Sequence, residues 1–331
     1  MDDSTNPTSA AHTATPRKKR PRKALRVILT SLAGVLATLV VVLIGTTTVN
    51  AVATASEEKK IERYGQMVQV DGKRMNVSLS GSGDRTVVLL PGFGTASPVL
   101  DFGPIVKELA PHYRVVVVEP FGYGLSDGTD RERTSANIVS EVHGALRGLG
   151  IAQYILMGHS IAGIYGLQYA NTYPDEVTAF VGIDSSVPTQ PGMDDELPIA
   201  GMKAAKSLGL MRVLTALAPD PYAGLPYSAA TKEQMALLAN KNSLNSTYTN
   251  EMEHFSANFH NAQKLAFPRD LPVLLFVQAD NKDVKGWLSL HEQQAASVER
   301  GEVVQLDAEH YLHHTKSEEI AAGLDSFLVA G

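Results

Sequence analysis

The run Gly158-His159-Ser160-Ile161-Ala162-Gly163 puts a serine directly behind the apolar stretch Tyr154-Ile155-Leu156-Met157 and just ahead of a helical pattern that begins near Ile161. A serine on so tight a strand-to-helix turn projects its hydroxyl outward, and small neighbours at Gly158 and Ala162 let strand and helix approach closely. A hydroxyl is a weak nucleophile at neutral pH. It needs a base in hydrogen-bond reach, and the base needs a carboxylate to orient it. Three histidines, His310, His313 and His314, follow the apolar run Val303 to Leu306. Carboxylates stand after two other runs: Asp280 and Asp283 after Val277, and Asp184 after Ile183. The three histidines could also suggest a metal cluster, but no H-E-x-x-H accompanies them and the chain has no cysteine to supply thiolates.

Each of these residues stands behind a short β-branched run, and the runs define the architecture. Met75 to Leu79, Thr86 to Leu90, Arg114 to Val118, Tyr154 to Met157, Phe180 to Ile183, Val273 to Val277 and Val303 to Leu306 are mostly continuous in apolar residues, as parallel strands covered on both faces are. Helical patterns lie between them at about 99–110, 135–149, 161–173, 287–299 and 317–329. The expected fold class is α/β, with a mostly parallel central sheet flanked by helices. In such sheets ligands bind beyond the carboxyl ends of the strands, where all these candidates stand. The rhythm breaks from Pro188 to Pro268, a span without a good strand but with helical stretches rich in Met, Leu and Ala. Met202, Leu208, Met211, Leu214 and Leu217 would supply an apolar face there. The expected organisation is an α/β core in residues 56–187 and 269–331, with a helical cap inserted at 188–268.

The Ser160 motif resembles the nucleophile elbow of the α/β-hydrolase superfamily, with Ala162 where the family pattern G-x-S-x-G has its last glycine. Leu89-Leu90-Pro91-Gly92-Phe93-Gly94 resembles the family's oxyanion loop, with Pro91 where many members have histidine, and Glu119 to Asp127 looks like its D-x-x-G-x-G-x-S segment, with Glu for the first Asp. The resemblance runs from about residue 66 to 330. It implies acyl transfer to water with Ser160 as nucleophile, His310 as base, Asp280 as acid, and the backbone N–H groups of Phe93 and Ile161 as the oxyanion hole. Asp280 is chosen for the chain order Ser, Asp, His, with Asp283 in reserve and Asp184 a remoter alternative. The resemblance implies no metal or organic cofactor. An ester is the default substrate, ahead of an amide, a thioester or a carbon–carbon bond. The alternatives are a cofactor-free perhydrolase and a catalytically inactive binding or signalling module.

Composition narrows the setting. Of 331 residues, 44% are hydrophobic and 19% charged, which excludes a chain disordered throughout. The first 26 residues carry seven Lys/Arg against two Asp, leaving −11 of the net −6 for the rest, so nucleic-acid binding by the main body is not expected. Residues 1–26 read as a disordered basic tail. From Val27 to Ala55 there is no charged residue, and Val27 to Ile44 is long and apolar enough to cross a membrane. The basic flank should remain cytoplasmic, which makes residues 27–55 a signal anchor and puts the rest outside the cell membrane. The rival is a cleaved signal peptide ending at Ala53-Thr54-Ala55 and a secreted product. Expected partners are the membrane, through this helix, and a small, hydrophobic acyl substrate.

Overall fold

A computed structural model describes residues 22–329; the basic tail expected before Arg22 lies outside them. The chain opens with α1 (Arg22–Glu57), 36 residues in one helix, followed by a 3-10 turn at Glu58–Lys60. The helix begins inside the basic segment and not at Val27, because Arg22 to Arg26 contain no helix breaker. From Leu25 through Ile44 its apolar side chains are exposed except Leu43, which is half-exposed, and none of that apolar stretch is buried among the described residues.

The sheet has eight strands: β1 (Gln66–Val70), β2 (Lys73–Ser80), β3 (Thr86–Leu90), β4 (Arg114–Glu119), β5 (Tyr154–His159), β6 (Val177–Ile183), β7 (Val273–Gln278) and β8 (Gly301–Leu306). Their spatial order is β1-β2-β4-β3-β5-β6-β7-β8, with β1 and β2 antiparallel to their neighbours and all pairs from β4 onward parallel. Strand β1 has no counterpart among the expected strands. It is a half-exposed edge strand of mixed polarity, turned into β2 by Asp71 and Gly72, both at positive φ.

The continuous apolar runs follow from burial on both faces. In β3, Val88 and Leu90 pack with helices α4 (Ser135–Gly148) and α5 (Ala162–Thr172), while Val87 and Leu89 pack on the opposite face with α3 (Gly103–Leu109) and α13 (Ser317–Val329). A single helix expected at 99–110 is two, α2 (Pro98–Asp101) and α3, because Pro104 lacks the N–H an uninterrupted helix would need. Between β6 and β7 come five helices: α6 (Ile199–Ser207), α7 (Leu210–Leu217), α8 (Ala229–Asn242), α9 (Ser246–Glu253) and α10 (Phe255–Ala262). After β7, α11 (Trp287–Ala295) precedes β8, and the short α12 (Leu312–Thr315) precedes α13.

Chain direction reverses about β3: β4 lies on one side and β5 on the other. The crevice beyond the carboxyl ends of β3 and β5 is therefore the switch point at which open α/β sheets bind ligands.

Candidate active site

Ser160 stands at that switch point, between the last residue of β5 and the first turn of α5, with φ of +54°. A non-glycine residue held there is strained, and it persists only because its surroundings over-determine it. Ser160 N–H donates to Ile183 O, and Ser160 O accepts from Gly163 N–H and Ser186 N–H. Small residues then become obligatory. A Cβ on Gly163 would lie 2.2 Å from Ser186 O, and one on Gly158 would lie 3.0 Å from the Ala162 Cβ. Alanine is tolerated at 162 because Gly158 opposite it has no side chain.

The residue after β3 answers the elbow. A Cβ on Gly92 would sit 2.6 Å from His159 Nδ1 and 3.0 Å from the Ser160 Cβ, so the loop can approach only as glycine. Phe93 and Ile161 line one cavity with Ser160, of about 610 Å³, whose walls include Met193, Leu197, Ile199, Met252, Phe255 and Phe259. Among the described residues, neither the Phe93 N–H nor the Ile161 N–H donates to a backbone acceptor.

His310 lies in the loop between β8 and α12, and its Nδ1–H donates to Asp184 Oδ2 at 2.6 Å. Asp184 sits at the end of β6 with φ of +42° and is wholly buried. Its other oxygen accepts from Gln278 N–H (2.8 Å) and the Trp287 indole N–H (2.7 Å). The acid expected from sequence, Asp280, is not on His310. It is two residues past β7, mostly exposed, 3.1 Å from Lys282 Nζ, and lines a separate cavity of about 840 Å³ with Asp283. The reason is geometric: β7 lies between β6 and β8, and its Gln278 N–H braces the Asp184 carboxylate, which reaches across to the β8 loop. Trp287, at the start of α11, is part of this brace. The only sequence signal for Asp184 was its place behind an apolar run.

His313 and His314 do not face Ser160. Their Nε2 atoms meet the two oxygens of buried Asp101 at 2.8 and 2.9 Å, tying α12 to the end of α2. These three residues could hold a metal ion by type and proximity, but each Asp101 oxygen already accepts an imidazole N–H. Burial pushes the Asp101 carboxyl up, and the two imidazoles outweigh it, holding it well below the usual carboxylate range. Burial lowers His313 and lowers His159 further, so both are neutral near pH 7. His159 Nε2–H donates to His310 O at 3.2 Å, which fixes the His310 loop from beneath.

Glu119 is a structural carboxylate. It accepts from Leu125 N–H, Val99 N–H, the Asn76 amide and the Tyr64 hydroxyl, and burial raises its pKa against those bonds. Asn76, which donates to it, is buried with it.

A family model described as the alpha/beta hydrolase fold matches residues 85–212. The chain is 28% identical over 280 residues to the uncharacterized protein YbdG of Bacillus subtilis, covering 80% of this chain and 85% of that one. Among solved structures it resembles the enol-lactonase of Burkholderia xenovorans LB400 (TM-score 0.60, 18% identity, 80% of this chain and 100% of that one). It also resembles a membrane phospholipase A, a bacterial virulence factor (TM-score 0.56, 19% identity, 92% and 98%).

Proposed function

From a chain that belongs to the α/β-hydrolase fold superfamily, we propose a membrane-anchored serine hydrolase that cleaves an ester-type acyl bond through Ser160, His310 and Asp184. The observation that carries this reading is the 2.6 Å contact between His310 Nδ1 and a buried, three-donor Asp184, with the His310 carbonyl held by His159, the residue before Ser160. Ser160 Oγ attacks the carbonyl carbon and passes its proton to His310 Nε2. The carbonyl oxygen, now an alkoxide, takes the Phe93 and Ile161 N–H groups, which no backbone acceptor competes for among the described residues. Collapse expels the alcohol, protonated by His310, and leaves Ser160 acylated. Water then loses a proton to His310 Nε2 and attacks the acyl carbon, and the bond to Ser160 Oγ breaks as His310 returns that proton to the oxygen, releasing the acid. Asp184 keeps Nδ1 protonated and stabilises the imidazolium throughout. Met193, Leu197, Ile199, Met252, Phe255 and Phe259 give the 610 Å³ cavity an apolar wall that suits a hydrophobic acyl group, beside Asp194, Asp195, Glu196 and Glu253 in the same lining.

The anchor rests on α1, whose apolar stretch is unpacked by protein. The match to the membrane phospholipase A supports it: 92% of the chain is more than residues 61–331 can supply, so that match takes in part of α1.

The test is intact mass after treating the detergent-purified full chain with a fluorophosphonate. One adduct is expected on the parent, none on Ser160→Ala, and labelling slowed on the order of 10³-fold in His310→Ala. No adduct on a folded parent, or an adduct surviving Ser160→Ala, rejects the reading. The same spectrum tests the anchor, which requires residues 1–55 to be retained.

A further inference from the structure

Helix α7 is amphipathic, and its apolar side is exposed among the described residues. At 100° per residue, Leu210, Val213, Leu214 and Leu217 fall within an arc of about 100°, with Arg212 on the opposite side. Leu214 and Leu217 are 61% and 80% exposed, and Val213 is 45% exposed. Of the apolar face that the sequence suggests here, Met202 and Leu208 are half-buried, while Met211, Leu214 and Leu217 are exposed.

The polar side of α7 is locked to α1. Arg212 makes a two-pronged contact with Glu57 at 2.6 and 2.9 Å, and also donates to Thr54 Oγ1 and Asn50 Oδ1. Asn50 in turn donates to Lys206 O at the end of α6. At the start of α7, Gly209 abuts the Thr46 carbonyl so closely that a Cβ would lie 2.6 Å from it. Thr46 is two residues past Ile44, where the apolar run of α1 ends. Arg212 reaches outward from that level, to residues 6 to 17 Å further along α1 by the helix rise of about 1.5 Å per residue. An arc opposite Arg212 thus faces back toward the level of Ile44.

We infer that α7 lies in the surface of the same bilayer that α1 crosses, its Leu210, Val213, Leu214 and Leu217 face sunk into the headgroup and acyl boundary. This rests on the anchor reading above. Its occupant is lipid because the face is continuous in level with the end of the apolar α1 run, and the Arg212 clamp fixes it there. Ile199, at the start of α6, lines the Ser160 cavity, so the helix that leads into α7 begins at the wall of the site. The arrangement admits substrate carried in lipid without a full passage through water.

The chain has no cysteine, so single-cysteine variants carry one fluorescent label each. Leu214→Cys, Leu217→Cys, Leu36→Cys in mid-α1 and Glu318→Cys on α13 are labelled with an environment-sensitive dye in the full chain in phospholipid vesicles. With quencher-bearing lipid, emission is expected to fall on the order of half at 36, 214 and 217, and little at 318, with the reverse for aqueous iodide. Labels at 214 and 217 that behave like 318, while 36 is quenched by lipid, overturn the α7 inference and leave the anchor standing. A label at 36 that lipid does not quench overturns both. Labels at 214 and 217 shielded from both quenchers mean that protein covers the face, as in a pair of chains, and reject the bilayer as its occupant.

Discussion

Two histidine–aspartate clusters lie on the same short segment after β8 and differ in almost everything except their pairing. His310 meets Asp184 at 2.6 Å, and its side chain is 43% exposed beside the Ser160 elbow. His313 and His314 meet Asp101 at 2.8 and 2.9 Å, buried among Phe102, His159 and Tyr227. The first pair leaves an imidazole nitrogen open to a reacting group; in the second, the accessible chemistry is spent on holding α12 against α2. A histidine–carboxylate contact therefore says nothing about catalysis until the free nitrogen has somewhere to send its proton.

The sharpest way to break this contrast is Asp184→Asn, which keeps shape but loses the orienting charge. Turnover of a chromogenic ester should fall on the order of 10⁴-fold with little change in melting temperature. Asp101→Ala should do the opposite. Its loss leaves two buried imidazole N–H groups without an acceptor, at about 1–3 kcal/mol each, read as a large drop in melting temperature, with kcat per folded molecule much less affected.

The buried cluster should also set the acid side of stability. His313 and His159 are held below their ordinary value, so below about pH 6.5 the unfolded chain binds protons that the folded one does not. Their contribution is complete above about 6.5 and is lost as pH falls, whereas that of Asp101, also lowered, persists until about pH 4. Melting temperature measured across pH 4 to 8 should decline on the acid side of 6.5, and less steeply in His313→Gln.

Smaller effects sharpen the active pair. Trp287→Phe removes one donor from Asp184, a loss of about 1.5 kcal/mol that should lower kcat roughly tenfold and shift the pH profile of kcat. Asp280→Asn should change turnover by less than about twofold, because its contact with Lys282 is exposed and worth under about 1 kcal/mol. A large loss in Asp280→Asn would return the acid to the position after β7.

The geometry of the elbow was legible because it is local. Gly158, Ser160, Ala162 and Gly163 act on one another across a few bonds, and their steric demands show in their small side chains. The parallel strands were legible for a related reason: burial on both faces leaves continuous apolar runs such as Thr86 to Leu90. Strand β1 was not, since an edge strand needs no such run. The acid was not legible either. Asp184 and Asp280 both follow apolar strands, and the choice between them depends on which carboxylate can reach a loop two strands away.

By itself the amino-acid sequence determined the α/β class, the place of Ser160 behind β5, the strandless stretch before β7 and the apolar N-terminal helix, all properties of short segments and their periodicity. Only the tertiary structure decided that Asp184 and not Asp280 meets His310, that Trp287 braces it, that His313 and His314 are spent on Asp101, and that α7 is clamped to α1 with its leucines outward. Each of these joins residues far apart in the chain, and their relative reach is set by strand order and helix packing, which no local pattern encodes.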